Sequence, residues 1–191
     1  MLAKMQAFTH ARTGETQDEL WLCEHPPVFT LGRHADEQHI LNAHNIPVVK
    51  TDRGGQVTYH GPGQLLAYVL MDLKRHKWGV AELVKRLEQS VIETLALLDI
   101  LAERRAGMPG VYIAQAETYG KICSVGLRVQ KGCTYHGLAL NVNLELTPFT
   151  YINPCGYQDL KMVKVQDFAP KITMAMIAAQ LIPIMLEQLE A

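Results

Sequence analysis

The sequence carries no surplus of charge. Eighteen Lys and Arg stand against nineteen Asp and Glu, a formal net charge of −1. Without a global positive field, neither nucleic acid nor an anionic membrane is expected as a partner, and any such contact would need a local patch. No apolar run reaches the ~20 residues a bilayer requires; the most apolar stretch, Ile172 to Met185, is interrupted by Thr173, Gln180 and Pro183. The first residues, Met1 to Gln6, lack a charged segment followed by an apolar one, so no export signal is read there. Cysteine is sparse and scattered: Cys23, Cys123, Cys133 and Cys155 form no Cys-x-x-Cys pair. That pattern favours reduced thiols in a cytoplasmic setting over a disulfide framework. His34, His39 and His44 sit five apart, and nothing resembles His-Glu-x-x-His, so no metal and no iron–sulfur centre is expected. A Walker A loop, a G-x-G-x-x-G fingerprint and a Gly-x-Ser-x-Gly elbow are all missing, which argues against phosphate-cradle and serine-hydrolase readings.

What is present fits one globular domain. The 191 residues are 48% hydrophobic and 19% charged, with no repeat, low-complexity tract or linker to divide them. Residues 1–12 read as a helix with Met5 and Phe8 on one face. Glu19 to Glu24, Val28 to Leu31 and Pro47 to Thr51 read as short strands. Gln64 to Leu73 is a continuous apolar run, as in a strand covered on both faces. Val80, Leu83, Val84, Leu87, Val91, Leu95 and Leu98 recur at helical spacing, with Glu82, Lys85, Arg86, Glu88 and Gln89 assigned to the opposite face. Gly107 to Gly110 ends that region. Strands then follow at Val111 to Ala114, Lys121 to Val129 and Tyr135 to Leu144; in the last, period two places His136 on one face with Leu138, Leu140, Val142 and Leu144. A final helix runs from about Lys171 to Leu189. The irregular order of strands and helices predicts an α+β fold with a mixed, mostly antiparallel sheet.

Three segments are too specialised to be core filler. Asp52 to Gln64 places four glycines and a proline around a short strand, so backbone can approach a ligand closely. Arg53 offers charge there and His60 a proton donor or acceptor, although a pair of tight turns explains the glycines as well. Lys121 opens a strand whose alternate residues Cys123, Val125, Leu127 and Val129 are apolar, which points its side chain inward. It either finds a partner or snorkels at a strand edge. Asn153-Pro154-Cys155-Gly156-Tyr157 holds a thiol in a turn, unlike the usual buried structural cysteine, and suits a nucleophile. Cys23, Cys123 and Cys133 read as structural.

Together these segments resemble the lipoate-biosynthesis octanoyltransferases. The family's Arg-Gly-Gly-x-x-Thr-x-His-Gly-Pro-Gly-Gln pattern stands complete from Arg53 to Gln64. Its Lys-Ile-x-x-x-Gly-x-Arg-Val pattern stands at Lys121 to Val129, His-Gly-x-Ala-x-Asn-Val at His136 to Val142, and Asn-Pro-Cys-Gly at Asn153 to Gly156. The resemblance implies the fold of the biotin- and lipoate-protein ligase catalytic domain. It implies a Cys155 thioester nucleophile with Lys121 as activating partner. An acyl pocket would be lined by Arg53, Gly54, Gly55, Gln56, Val57, Thr58, Tyr59, His60, Ser124, Val125, Gly126, His136, Gly137, Leu138 and Ala139. Implied partners are octanoyl-acyl carrier protein as donor, and as acceptors lipoyl domains of 2-oxoacid dehydrogenase complexes and the glycine cleavage H protein. A monomer without cofactor is expected. The resemblance also implies a further strand before the first helix; this chain starts almost inside that helix, so the expectation is either a truncated start or a missing edge strand.

The implied chemistry agrees with elementary energetics. Exchange of one thioester for another is nearly thermoneutral, transfer to an amine gives an amide and is downhill, and neither step needs a nucleotide. A cation within ~4–6 Å is the ordinary means of stabilising a thiolate. The glycines at 54, 55, 126 and 137 leave room for an apolar chain. Acidic protein substrates ask for a basic rim, for which Lys74, Arg75 and Lys77, or Arg128, Lys131, Lys161 and Lys164, are candidates. An ATP-dependent ligase on the same fold would not need Cys155, and an idle acyl-protein binding module would need neither Cys155 nor Lys121.

Overall fold

The computed structural model describes residues 1–115 and 118–190. In chain order it contains helix α1 (Leu2–Ala11), strands β1 (Glu19–Cys23), β2 (Val28–Leu31), β3 (Val48–Lys50), β4 (Thr58–His60) and β5 (Gln64–Leu70), and the short helix α2 (Leu73–His76). The long helix α3 (Val80–Ala96) follows, then strands β6 (Ala102–Arg105), β7 (Met108–Gln115), β8 (Thr118–Gln130) and β9 (Cys133–Asn141), and helix α4 (Met174–Glu190). One antiparallel sheet has the order β1-β5-β9-β8-β7-β6, and a small sheet has the order β3-β2-β4, with β2 and β3 parallel. This is one α+β domain of the architecture expected.

The unbroken apolar run of β5 has a direct cause: every residue in it is buried. Leu65, Ala67 and Val69 face the main core with Leu83, Leu87, Val91 and Leu95 of α3 and Ile177, Leu181 and Met185 of α4. Leu66, Tyr68 and Leu70 face Met5 of α1 on the other side. Each such aliphatic side chain contributes roughly 1.5–3 kcal/mol by leaving water. A second core, under the small sheet, gathers Phe29, Leu31, Val57, Tyr59, Phe149 and Ile152.

Three sequence expectations change. Gly107 sits in a hairpin turn at φ 76, and β7 begins at Met108, while β6 was unread because an edge strand of Glu103, Arg104 and Arg105 shows no apolar alternation. Glu88 is buried, not on the solvated face of α3. It completes the stripe Val84–Glu88–Val91–Leu95, so helical spacing alone would have placed it inside. His136 leaves its alternation: at φ 62 its ring turns to stack on Tyr135, with centroids 5.2 Å apart, and to meet Tyr68 edge-on at 6.2 Å.

Candidate active site

The six-stranded sheet delivers Lys121. Opposite Val111 and Tyr112 the β7–β8 register shifts, pairing Val111 with Cys123 and Tyr112 with Lys121. Ile122 is the extra residue, and both it and Cys123 enter the main core. Such a bulge re-aims the side chains beside it. Here β8 also leaves β9 and pairs instead with the segment after Cys155, through Lys121 N–H to Lys161 O at 2.8 Å and Val163 N–H to Lys121 O at 3.0 Å. The lysine is 2% exposed, and its ammonium donates to Pro109 O at 2.8 Å and to Cys155 Sγ at 3.2 Å. Lys121 is therefore buried and partnered as the inward reading expected, although the bulge places it on the face of Tyr112, opposite Cys123.

Cys155 arrives by a different device. It stands in a single 3-10 turn, Pro154–Gly156, with φ 57 and ψ 15. A left-handed residue with a Cβ costs about 1–2 kcal/mol, so the bend must be held from outside. Cys155 N–H donates to Val57 O at 3.2 Å, Asn153 N–H to His39 O at 2.7 Å, and Gly156 N–H back to Asn153 O at 3.0 Å. Gly156 follows at φ 84, which a side chain would strain.

Burial works against the charge on Lys121, yet the Cys155 sulfur and the Tyr112 hydroxyl outweigh it and hold the lysine above its ordinary value. The lysine stays cationic at neutral pH. Cys123, two residues away, is pushed up to about 12 by complete burial, which makes it inert despite the same cation nearby.

Lys121 and Cys155 open on a cavity of about 770 Å³, within the usual range for small-molecule sites. Arg53, Gly54, Gly55, Gln56, Val57, Thr58, His60, Ser124, Val125, Gly126, His136, Gly137, Leu138 and Ala139 all line it. Tyr59 does not: between Thr58 and His60 in β4 it points to the other face, where Phe29 and Phe149 pack on it at 5.5 and 5.6 Å. Strand alternation would have removed it from the list. The glycines act through backbone approach. A Cβ on Gly126 would come within 3.0 Å of Gly54 O, and Gly54 N–H donates to Leu127 O at 2.9 Å. They let the 53–55 loop lie directly on β8 and roof the cavity.

His60 is not free to move protons. Asn141 Nδ2 donates to Val163 O at 3.0 Å, so its Oδ1 accepts from Gln64 Nε2 at 2.9 Å. Gln64 Oε1 then accepts from His60 Nδ1 at 2.7 Å, leaving His60 Nε2 to accept from the Thr30 hydroxyl at 3.1 Å. Thr30 Oγ1 in turn accepts from Arg53 Nη2 at 2.9 Å. The ends agree, because a carbonyl can only accept and a guanidinium can only donate. Burial pushes His60 down to about 3, consistent with a neutral ring. Arg53, lowered by burial to about 10, remains cationic and caps this relay at the cavity wall.

Sequence reasoning missed several lining groups. Tyr112 is fully buried beside Lys121, whose Nζ lies 5.3 Å from its ring centroid; pairing of β7 with β8 was the signal. His25 and Tyr68, hydrogen-bonded at 2.6 Å, close another side. Asp52 holds the loop to β9 through His136 Nε2 at 2.9 Å and the Tyr135 hydroxyl, and to α1 through Gln6 at 3.1 Å. Of the basic residues, Arg75 and His76 are committed to Asp18 at 3.3 and 2.8 Å. Among the described residues no group of His, Cys, Asp and Glu is placed to hold a metal ion, and no helix is long and apolar enough to cross a membrane.

The lipoyl protein ligase A/B catalytic domain family matches residues 1–185. An octanoyltransferase of Janthinobacterium sp. (strain Marseille) is 55% identical over 179 residues, covering 91% of this chain and 83% of that one. One from Dechloromonas aromatica (strain RCB) is 53% identical over 186 residues, 97% of this chain and 89% of its own. Among solved structures, a bipartite lipoate protein ligase from Thermoplasma acidophilum superposes with a TM-score of 0.77 at 18% identity, covering 99% of this chain and 78% of that one. At that identity the likeness speaks for the fold.

Proposed function

The chain belongs to the lipoyl protein ligase A/B catalytic domain family, and on that basis we propose that it is an octanoyltransferase of protein lipoylation working through a Cys155 thioester. The observation that carries this reading is the 3.2 Å contact between Lys121 Nζ and Cys155 Sγ in the wall of a largely apolar cavity. The donor is octanoyl-acyl carrier protein; the acceptors are lysines of lipoyl domains in 2-oxoacid dehydrogenase complexes and in the glycine cleavage H protein. One chain supplies both members of the pair, which fits a monomer, and four free thiols fit the reducing cytoplasm.

Two acyl transfers follow. The Cys155 thiolate attacks the carrier thioester carbonyl, the new C–S bond forms, and the carrier sulfur leaves with the proton given up by Lys121. Neutral Lys121 then takes a proton from the incoming amine as that nitrogen attacks the Cys155 acyl carbon. The C–S bond breaks, an amide remains, and the thiolate–ammonium pair is restored. Charge is thus conserved within the pair at each stage, and the buried Lys121 never stands as an uncompensated ion, which would be costly.

Intact-mass measurement after incubation with octanoyl-acyl carrier protein tests this. The expected result is one added octanoyl group, absent in Cys155→Ala and chased off by a lipoyl domain. Labelling that requires ATP and survives Cys155→Ala would instead mark an adenylating ligase and overturn the thioester route.

A further inference from the structure

The lysine that faces Cys155 is itself held by something, and that support leads outside the cavity. Its ammonium donates to Pro109 O at 2.8 Å. The N–H of the same peptide unit belongs to Gly110, and it donates to Glu88 Oε1 at 2.7 Å. In a trans peptide these two groups point in opposite directions, and the described residues contain no cis bond. A carboxylate on α3, one peptide plane and the ammonium on β8 therefore stand in line, ending on the thiol 3.2 Å beyond.

Other features fit a built arrangement. Glu88 is 6% exposed on a helix face that otherwise serves the apolar core, an expensive place for a carboxylate unless its bond is needed. Its second oxygen lies 3.4 Å from Arg104 Nε, so the charge is compensated from the solvent side. Gly110 adopts φ +122, and a Cβ there would sit 2.7 Å from Lys121 Cε. The peptide can hold the lysine only because residue 110 has no side chain.

We propose that Glu88 is a positioning residue for the acyl-transfer reaction: it fixes the Pro109–Gly110 peptide so that the Pro109 carbonyl aims the Lys121 ammonium at Cys155. It touches no substrate. The inference rests on the Cys155–Lys121 reading of the site, and the readout is chosen to separate the two. That readout is the rate at which Cys155 is alkylated by iodoacetamide, followed by peptide mass mapping, together with kcat and KM for the acyl donor.

Glu88→Met removes the acceptor at similar length; Glu88→Gln keeps an oxygen for Gly110. In folded protein, Glu88→Met lowers both the alkylation rate and kcat by about tenfold, the worth of one charge-assisted contact, with KM little changed, while Glu88→Gln recovers most of the loss. In a Lys121→Ala background, Glu88→Met has no further effect, because its route to the sulfur is already cut. Equal losses in Glu88→Met and Glu88→Gln, or an undiminished loss in the Lys121→Ala background, overturn the proposal. If Glu88→Met does not fold, Glu88→Thr, too short to reach Gly110, takes its place with the same expectations. An alkylation rate unaffected by Lys121→Ala itself would remove the dyad, and this inference with it.

Discussion

Two lines of buried polar groups reach the cavity, and they are made differently. One runs from Glu88 through the Pro109–Gly110 peptide and the cationic Lys121 to Cys155. The other runs from Val163 O through Asn141, Gln64, His60 and Thr30, and every group between its carbonyl and Arg53 is neutral. The neutral line has one allowed arrangement of donors and acceptors, so it can set shape and cannot store a proton. In the proposed mechanism the line through Lys121 has one proton that changes hands. The proposed reaction and the architecture thereby fall to separate sets of residues, which share a hydrogen-bonded neighbour in Val163: its N–H bonds to Lys121 O and its O accepts from Asn141.

The sharpest way to test that division is to cut each line once. Lys121→Ala is expected to slow Cys155 acylation at least ~10²-fold, the usual share of a positioned acid–base group. Its melting temperature should fall only modestly, because the contacts with Cys155 and Tyr112 that outweigh the burial penalty of the ammonium are lost together with that penalty. Thermal unfolding and single-turnover acylation read the two effects. A large fall in stability would mean that this line serves architecture as well.

Gln64→Leu should do the reverse. It strands the His60 Nδ1 proton, Asn141 Oδ1 and Tyr59 O in the interior, each a desolvated group costing about 1–3 kcal/mol. The melting temperature should drop by roughly 6 °C or more and KM for the acyl donor should rise as the Arg53 wall loosens. The rate of Cys155 alkylation should hardly move. Loss of thiol reactivity in this variant would break the separation of the two lines.

How much of this the sequence displayed follows from the same contrast. Strands β5 and β8 and helix α3 were legible because burial on one or two faces leaves a periodic trace; Lys121 was read inward from an alternation with Cys123 that the bulge at Ile122 breaks. Cys155 was legible because proline and glycine around a thiol have few structural uses. Glu88 was misplaced by its charge, since residue type outweighed its helical spacing. His136 was misplaced because a left-handed residue inside a strand breaks alternation, and Tyr59 entered the lining because a contiguous motif was read whole although β4 alternates. The hydrogen-bond order through Gln64 and Asn141, 77 residues apart, leaves no local mark at all.

The smallest effect should come from Cys123→Ser, since the Cys123 side chain hydrogen-bonds to Ser124 O and to no member of either line. The thiol is fully buried in the main core and, being raised to about 12, stays protonated at any pH below that value. It should therefore resist iodoacetamide at pH 7 to 9, where Cys155 is modified, and its replacement should leave octanoylation at one group per chain. The new hydroxyl enters an apolar site in place of a weakly polar sulfur, so stability should fall by about 1–2 kcal/mol, a shift of roughly 2–8 °C for a chain of this size. The contrast with Cys155 then rests on place alone. Both sulfurs feel the Lys121 cation, and only the one in the bend meets it at hydrogen-bond distance with a cavity in front. Octanoylation lost in Cys123→Ser would show that proximity to the lysine, rather than the bend, selects the nucleophile.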